Sequence, residues 1–245
     1  MKFDNLSVNQ RKVSLASVQE LESQRFTDFM SVLNSLAKKF NLRIMTNWSK
    51  VWEYPWLWYN GLVSVDHKRT HICDLGSELS SMPWYLASLG AHVVLVENDN
   101  QYIQTWESIK KSTSWSVDWR IVNSEQLPFA DKSFDIVTSF SVIEHQPNKA
   151  MAVEEVWRIL RPGGMFAISF DICEPSFGMT FPEWNGSALT IGEFEKIIWE
   201  NPLFTQDENT IKWNFEGSKE FIEWHLQSAS HHNYIVGAAI LIRAS

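Results

Sequence analysis

The chain has 245 residues, 44% of them apolar, and a net charge of −8 from 21 basic and 29 acidic side chains. That apolar content supports a full core and excludes global disorder, and the length fits one α/β domain with an appendage. The acidic balance, with basic runs no longer than Lys38-Lys39 and His67-Lys68-Arg69, argues against a nucleic-acid surface.

The first residues, Met1 to Ser7, lack an apolar signal core, and no uninterrupted apolar stretch approaches the length of a membrane span. The expectation is a soluble, cytoplasmic protein with no membrane partner. Cys73 and Cys173 lie in or beside apolar runs that read as adjacent central strands, which suits two buried thiols in a reducing compartment. No Cys/His cluster suggests a metal site.

Residues 1–17 are polar and read as a frayed terminus. Val18, Leu21, Phe29, Val32, Leu36 and Phe40 recur at helical spacing, so one amphipathic helix is predicted over 18–40. A Trp-rich segment follows at 46–60, broken by Pro55 and ended near Gly61. The chain holds 13 tryptophans, and Trp48, Trp52 and Trp56 would share one helix face. Such a face either packs on the main domain or forms an aromatic wall over a pocket, and the two are compatible. Residues 1–62 then form an N-terminal helical cap, and 63–245 the main domain.

From residue 71 the pattern alternates. Strands are predicted at 71–75, 92–97, 118–122, 134–140 and 164–170, and helices at 81–89, 99–111, 147–160 and 190–200. Strand alternating with helix implies a mostly parallel sheet covered on both faces. Arg161-Pro162-Gly163-Gly164 reads as a sharp turn before the fifth strand. Tyr234 to Ile242 reads as a late strand inserted into the sheet. A lid-like insert, at about 174–188, carries Phe177 and Trp184.

The first strand ends in Asp74-Leu75-Gly76-Ser77-Glu78, and the second in Glu97-Asn98. A tight turn lets backbone N–H groups approach a ligand, and an acid at the next strand tip can accept from both hydroxyls of a ribose. The rival readings are a structural αβ turn and a solvated strand end. Only one glycine stands where dinucleotide folds carry three, which weakens a nicotinamide-dependent oxidoreductase. Glu78 would also oppose a diphosphate.

Three further segments complete an ordered set: Asn123-Ser124-Glu125-Gln126-Leu127-Pro128-Phe129 running into Ser133-Phe134-Asp135, then Ser139-Phe140-Ser141-Val142-Ile143-Glu144-His145, then Leu160-Arg161-Pro162-Gly163-Gly164. In this order and spacing the chain resembles class I S-adenosylmethionine-dependent methyltransferases, strongly over about 70–172. The resemblance implies a Rossmann-like α/β sheet, mostly parallel with an antiparallel late strand and helices on both faces. It implies S-adenosyl-L-methionine as cofactor. By the same resemblance Asp74, Gly76 and Ser77 approach its methionine part, and Glu97 with Asn98 its ribose. Asn123, flanked by Ser124 and Glu125, meets the adenine, while Ser139, Phe140 and Ser141 line the methyl side. Glu144 and His145 face the mouth of the site. His145 is a candidate general base, since imidazole titrates near neutral pH, or it caps the following helix. Tyr54, Trp56, Tyr59, Phe177 and Trp184 join Glu144 as candidate acceptor contacts.

The glycine-rich loop is degenerate after Gly76, and Asn98 and Asn123 stand where acids are more usual. Two functions follow as expectations. One is methyl transfer to an oxygen or nitrogen of a small metabolite or glycan-like acceptor. The other is a cofactor-binding partner subunit that has lost catalysis.

Overall fold

Side-chain alternation along the strands decides which face of the sheet each residue serves. In β2 (His71–Leu75) Ile72 and Cys73 point to opposite faces. In β3 (His92–Glu97) Val93 and Leu95 pack on the side of Ile72, and Val94 and Val96 on the side of Cys73. The strands are therefore apolar on both faces, as a sheet sandwiched between helices requires.

The computed structural model describes residues 11–46, 48–123, 126–173, 186–205 and 235–245. The remaining strands are β1 (Lys12–Leu15), β4 (Val117–Ile121), β5 (Phe134–Phe140), β6 (Leu160–Cys173), β7 (Leu189–Thr190) and β8 (Ile235–Ile242). They join in the order β1-β8-β6-β5-β2-β3-β4, with β7 beside the end of β6. The pairs β4–β3, β3–β2, β2–β5 and β5–β6 are parallel, whereas β8 runs antiparallel to both β6 and β1. The Rossmann-like sheet and its antiparallel late strand are as the sequence indicates.

One face carries α1 (Val18–Leu21), α2 (Gln24–Phe40), α3 (Trp48–Asn60), α4 (Met82–Ser88) and α5 (Ile103–Ser112). The other carries α6 (Lys149–Ile159) and α7 (Ile191–Phe194), the latter continuing as a π-helical turn over Glu195–Trp199. Residues of α2 and α3 share one core with Ile72, Val93 and Ile240, so the N-terminal helices are built onto the sheet itself.

Several local expectations change. Lys12–Leu15 is an edge strand, not a frayed end, because it finds β8 from the far end of the chain. The helix over 18–40 is two helices, parted where Ser23 turns extended (ψ 137°). Pro55 does not break α3: burial of Trp52, Tyr54 and Leu57 around it outweighs the lost backbone hydrogen bond. Leu160 to Gly164 is no separate turn but the irregular start of β6, where its register on β5 shifts between Phe134 and Ile136. The strands bearing Cys73 and Cys173 are not adjacent, since β5 lies between them.

Candidate active site

The chain winds outward from β2 through β3 to β4, then returns to β5 on the other side of β2. The two connections leave the carboxyl ends of β2 and β5 in opposite directions, and a crevice opens between them. A cavity of about 830 Å³ occupies this place, within the usual range for small-molecule sites.

The turn after β2 forms its inner wall. Gly76 has φ +69°, and the N–H groups of Gly76 and Ser77 donate to Val96 O at 2.9 and 3.3 Å. Ser77 Oγ closes the turn onto Asp74 O at 2.9 Å. The Glu97 carboxylate lies across this turn: Oε2 accepts from the N–H of Glu78 at 3.1 Å, and Oε1 from that of Asn98 at 2.8 Å. Burial raises its pKa, and the two N–H bonds offset part of that. Glu78 itself sits at φ +41° and pairs with Arg43 at 2.5 Å.

Gly76, Ser77, Glu97, Asn98, Asn123, Ser139, Phe140, Ser141, Glu144, His145 and Tyr54 all line the cavity. Asp74 does not. It is 1% exposed and accepts a 2.6 Å bond from Thr138 Oγ1, and burial lifts its pKa to about 6. It supports the floor of the turn. The room at Gly76 is also not ligand space: a Cβ there would meet Val142 Cγ2 at 2.5 Å. Trp56 and Tyr59 lie off the cavity. Trp56 is buried and stacked on Trp52, and Tyr59 Oη donates to Arg25 O. Of the aromatic residues expected on α3 to touch ligand, Tyr54 reaches the cavity, its ring edge-on to Phe140 at 4.8 Å. Ser124, Glu125, Phe177, Trp184 and most of the expected insert lie outside the described residues.

Beside β5 and β6 the structure adds Lys50, Glu53 and Asp171, which the sequence does not single out, to Glu144, which it does. Lys50 Nζ donates to Glu53 Oε2 at 2.8 Å and to Phe140 O at 2.9 Å. Glu53, fully buried, also accepts from Ser141 Oγ at 3.0 Å and Ser169 Oγ at 2.6 Å. Burial would lower the Lys50 pKa, but the adjoining Glu53 carboxylate and the more distant Tyr54 and Glu144 outweigh it and raise it. Glu144 and Asp171 are 1% and 3% exposed, and both line the cavity. Burial, together with negative neighbours, pushes both acids up. The one available signal was a Lys-Glu pair three residues apart in an otherwise aromatic helix.

These features match the methyltransferase domain family over residues 73–168. The match and the fold together resemble those of S-adenosylmethionine-dependent methyltransferases. It is 35% identical over 101 residues to the ubiquinone biosynthesis O-methyltransferase of Agrobacterium fabrum, covering 41% of this chain and 40% of that protein. It is 31% identical over 135 residues to a ubiquinone/menaquinone biosynthesis C-methyltransferase of Brucella canis, covering 54% and 47%. The chain thus spans less than half the length of these relatives. Among solved structures, Haemonchus contortus phosphoethanolamine N-methyltransferase 2, in complex with S-adenosyl-L-methionine, superposes with a TM-score of 0.63 at 17% identity, over 91% of this chain and 61% of that one. The [4+2]-cyclase SpnF shares the fold at TM-score 0.59 and 12% identity, over 92% and 96%, so the fold alone does not fix the reaction.

Proposed function

We propose that the protein transfers a methyl group from S-adenosyl-L-methionine to a nitrogen or oxygen of a small-molecule acceptor. The observation that carries this reading is the Glu97 carboxylate held against the turn after Gly76, both lining a cavity at the switch point of the sheet. The donor set fits the cofactor. Glu97 would accept from the ribose hydroxyls, Asn98 and Asn123 would border the adenosine, and Ser139 to Ser141 would border the amino-acid end. When bound, the cofactor supplies an electrophilic methyl carbon on a sulfonium.

The protein's own contribution is to position the acceptor, keep water out and take a proton. Tyr54 and Phe140 line the cavity edge to face and would set apolar rings beside the reacting end. His145 lines the same cavity, where an imidazole would receive a proton from a hydroxyl or an amine. Relatives named for O- and for C-methylation share such domains. Acceptor choice therefore falls to α3 and the chain beyond β6. The acidic net charge favours a small metabolite over a nucleic acid.

The degenerate loop, with Glu78 held at positive φ, favours one alternative: a cofactor-binding subunit without turnover. Calorimetric titration with S-adenosyl-L-methionine and S-adenosylhomocysteine separates these readings when paired with mass analysis of small-molecule extracts incubated with the cofactor. Binding with the gain of one methyl group on a small molecule supports the enzyme. Binding without any methylated product supports the inactive subunit, and no binding of either ligand at millimolar concentration overturns both.

A further inference from the structure

The end of the cavity beside β6 holds more acidic side chains than cofactor binding calls for. Glu53, Glu144 and Asp171 are all buried there, and Lys50 is the cation whose charge reaches all three. Lys50 is already bonded to Glu53 and Phe140 O, and Glu53 is saturated by Lys50, Ser141 and Ser169. Glu144 is different. Neither of its carboxylate oxygens meets a side-chain donor or a well-aligned N–H among the described residues, although its own N–H, that of Asp171 and the Lys50 charge lie near enough to favour the anion in part, and it lines the cavity. A buried carboxylate so weakly partnered is disfavoured unless it is protonated or meets a cation.

Sheet order says which ligand lies closest. Glu97 ends β3, the glycine turn ends β2, Glu144 sits on the turn after β5, and Asp171 is on β6. The two acids therefore lie on the far side of the switch point from the ribose acid, past the methionine end. An acceptor bearing a carboxylate or phosphate at this point would meet two buried acids with no cation of its own to offer, and a neutral hydroxyl would leave both acids protonated and without a charged partner. We propose that this end of the cavity takes its acceptor as an amine, with the ammonium group seated against the Glu144 carboxylate beside Asp171. Glu144 accepts one N–H proton, giving a neutral carboxylic acid and an amine whose lone pair is free. Burial and mutual repulsion already bias these acids toward holding a proton. Tyr54 and Phe140 border the space for the acceptor's apolar part. The inference rests on the methyltransferase reading and narrows it from nitrogen or oxygen to nitrogen.

The test uses the full chain saturated with S-adenosylhomocysteine, so that no turnover occurs. Benzylamine and ethanolamine are titrated by calorimetry against benzyl alcohol and ethylene glycol, in two buffers of different ionisation enthalpy. We expect the amines to bind about ten-fold or more tighter than the alcohols, as one charge-assisted hydrogen bond provides. Each bound ammonium should also release a proton, because Glu144 gives up its own to meet it. Glu144→Gln should abolish both the preference and the proton release while S-adenosylhomocysteine affinity stays within about two-fold. Asp171→Asn should reduce the preference in part. Equal binding of amine and alcohol overturns the amine site alone, as does tighter binding of Mg²⁺ than of either amine. An equal loss of S-adenosylhomocysteine and amine affinity in Glu144→Gln also overturns it, by assigning Glu144 to the cofactor. Failure of the wild-type protein to bind S-adenosylhomocysteine brings down the methyltransferase reading and the amine site with it.

Discussion

Lys50 and Glu53 stand one turn apart on α3 with their charged atoms 2.8 Å from each other, and the same carboxylate receives the hydroxyls of Ser141 and Ser169. A helix from the N-terminal part of the chain is thereby tied to the carboxyl ends of β5 and β6. The tie is electrostatic as well as apolar, and it fixes Tyr54 at the cavity.

Breaking it from one side should be costly. Glu53→Ala leaves the Lys50 ammonium in a largely buried place with Phe140 O as its remaining hydrogen-bond partner among the described residues, and we expect a loss of about 3–5 kcal/mol in unfolding free energy. Glu53→Gln retains an acceptor for one serine and should lose less. Urea denaturation of both variants measures this. A change below about 1 kcal/mol for Glu53→Ala would show that the cluster is solvated in solution.

Glu97→Ala should weaken S-adenosyl-L-methionine binding by about 2–4 kcal/mol through loss of two charge-assisted hydrogen bonds. The fold should persist, because Glu97 is not fully enclosed and water can reach the freed N–H groups of Glu78 and Asn98. Calorimetric titration gives the affinity, and wild-type affinity in a folded variant would remove Glu97 from the site.

Gly76 is constrained twice, by its φ of +69° and by Val142 at 2.5 Å from any Cβ. We expect Gly76→Ala to cost about 2–4 kcal/mol, adding a left-handed backbone penalty to overpacking, and Gly76→Val to fail to fold. The double variant Gly76→Ala, Val142→Ala should recover the packing part and leave the backbone part. If thermal denaturation finds the double variant no more stable than the single one, Val142 is not the obstacle.

Asp74 should leave a mark on stability against pH. Its carboxyl titrates near 6 in the folded chain, against an ordinary 3.8, because burial disfavours the anion. The folded state thus holds the proton more tightly than the unfolded state. This contribution to stability is complete below about pH 3.8 and is lost as pH rises through 6, by about 3 kcal/mol in all. In Asp74→Asn the Thr138 hydroxyl keeps an oxygen to donate to, and the loss disappears. Stability measured from pH 4 to 7 should therefore fall less steeply in the variant than in the wild type. Parallel curves would show that Asp74 is not protonated in the fold.

The sequence by itself determined the sheet and the residues around the Gly76 turn that line the cavity. Ile72, Val93 to Val96, Ile136 and Val137 are apolar on both faces because their strands are covered on both sides, and such runs are legible one segment at a time. Gly76 and Glu97 could be found because each marks a strand end, where a local pattern stops. The tertiary structure alone decided the rest. Lys12–Leu15 is a strand only because β8 lies beside it. Pro55 stays inside a helix only because the core around it outweighs one missing hydrogen bond. Asp74 is expected against the ligand from the sequence but is buried off the cavity lining, since pairing with Thr138 depends on two strands meeting in register. Lys50, Glu53, Glu144 and Asp171 are scattered over the chain with no spacing that links them. Their charges combine only when α3, the turn after β5 and the end of β6 converge, and burial, which sets the chemistry of those charges, belongs to the folded molecule and to no segment of it.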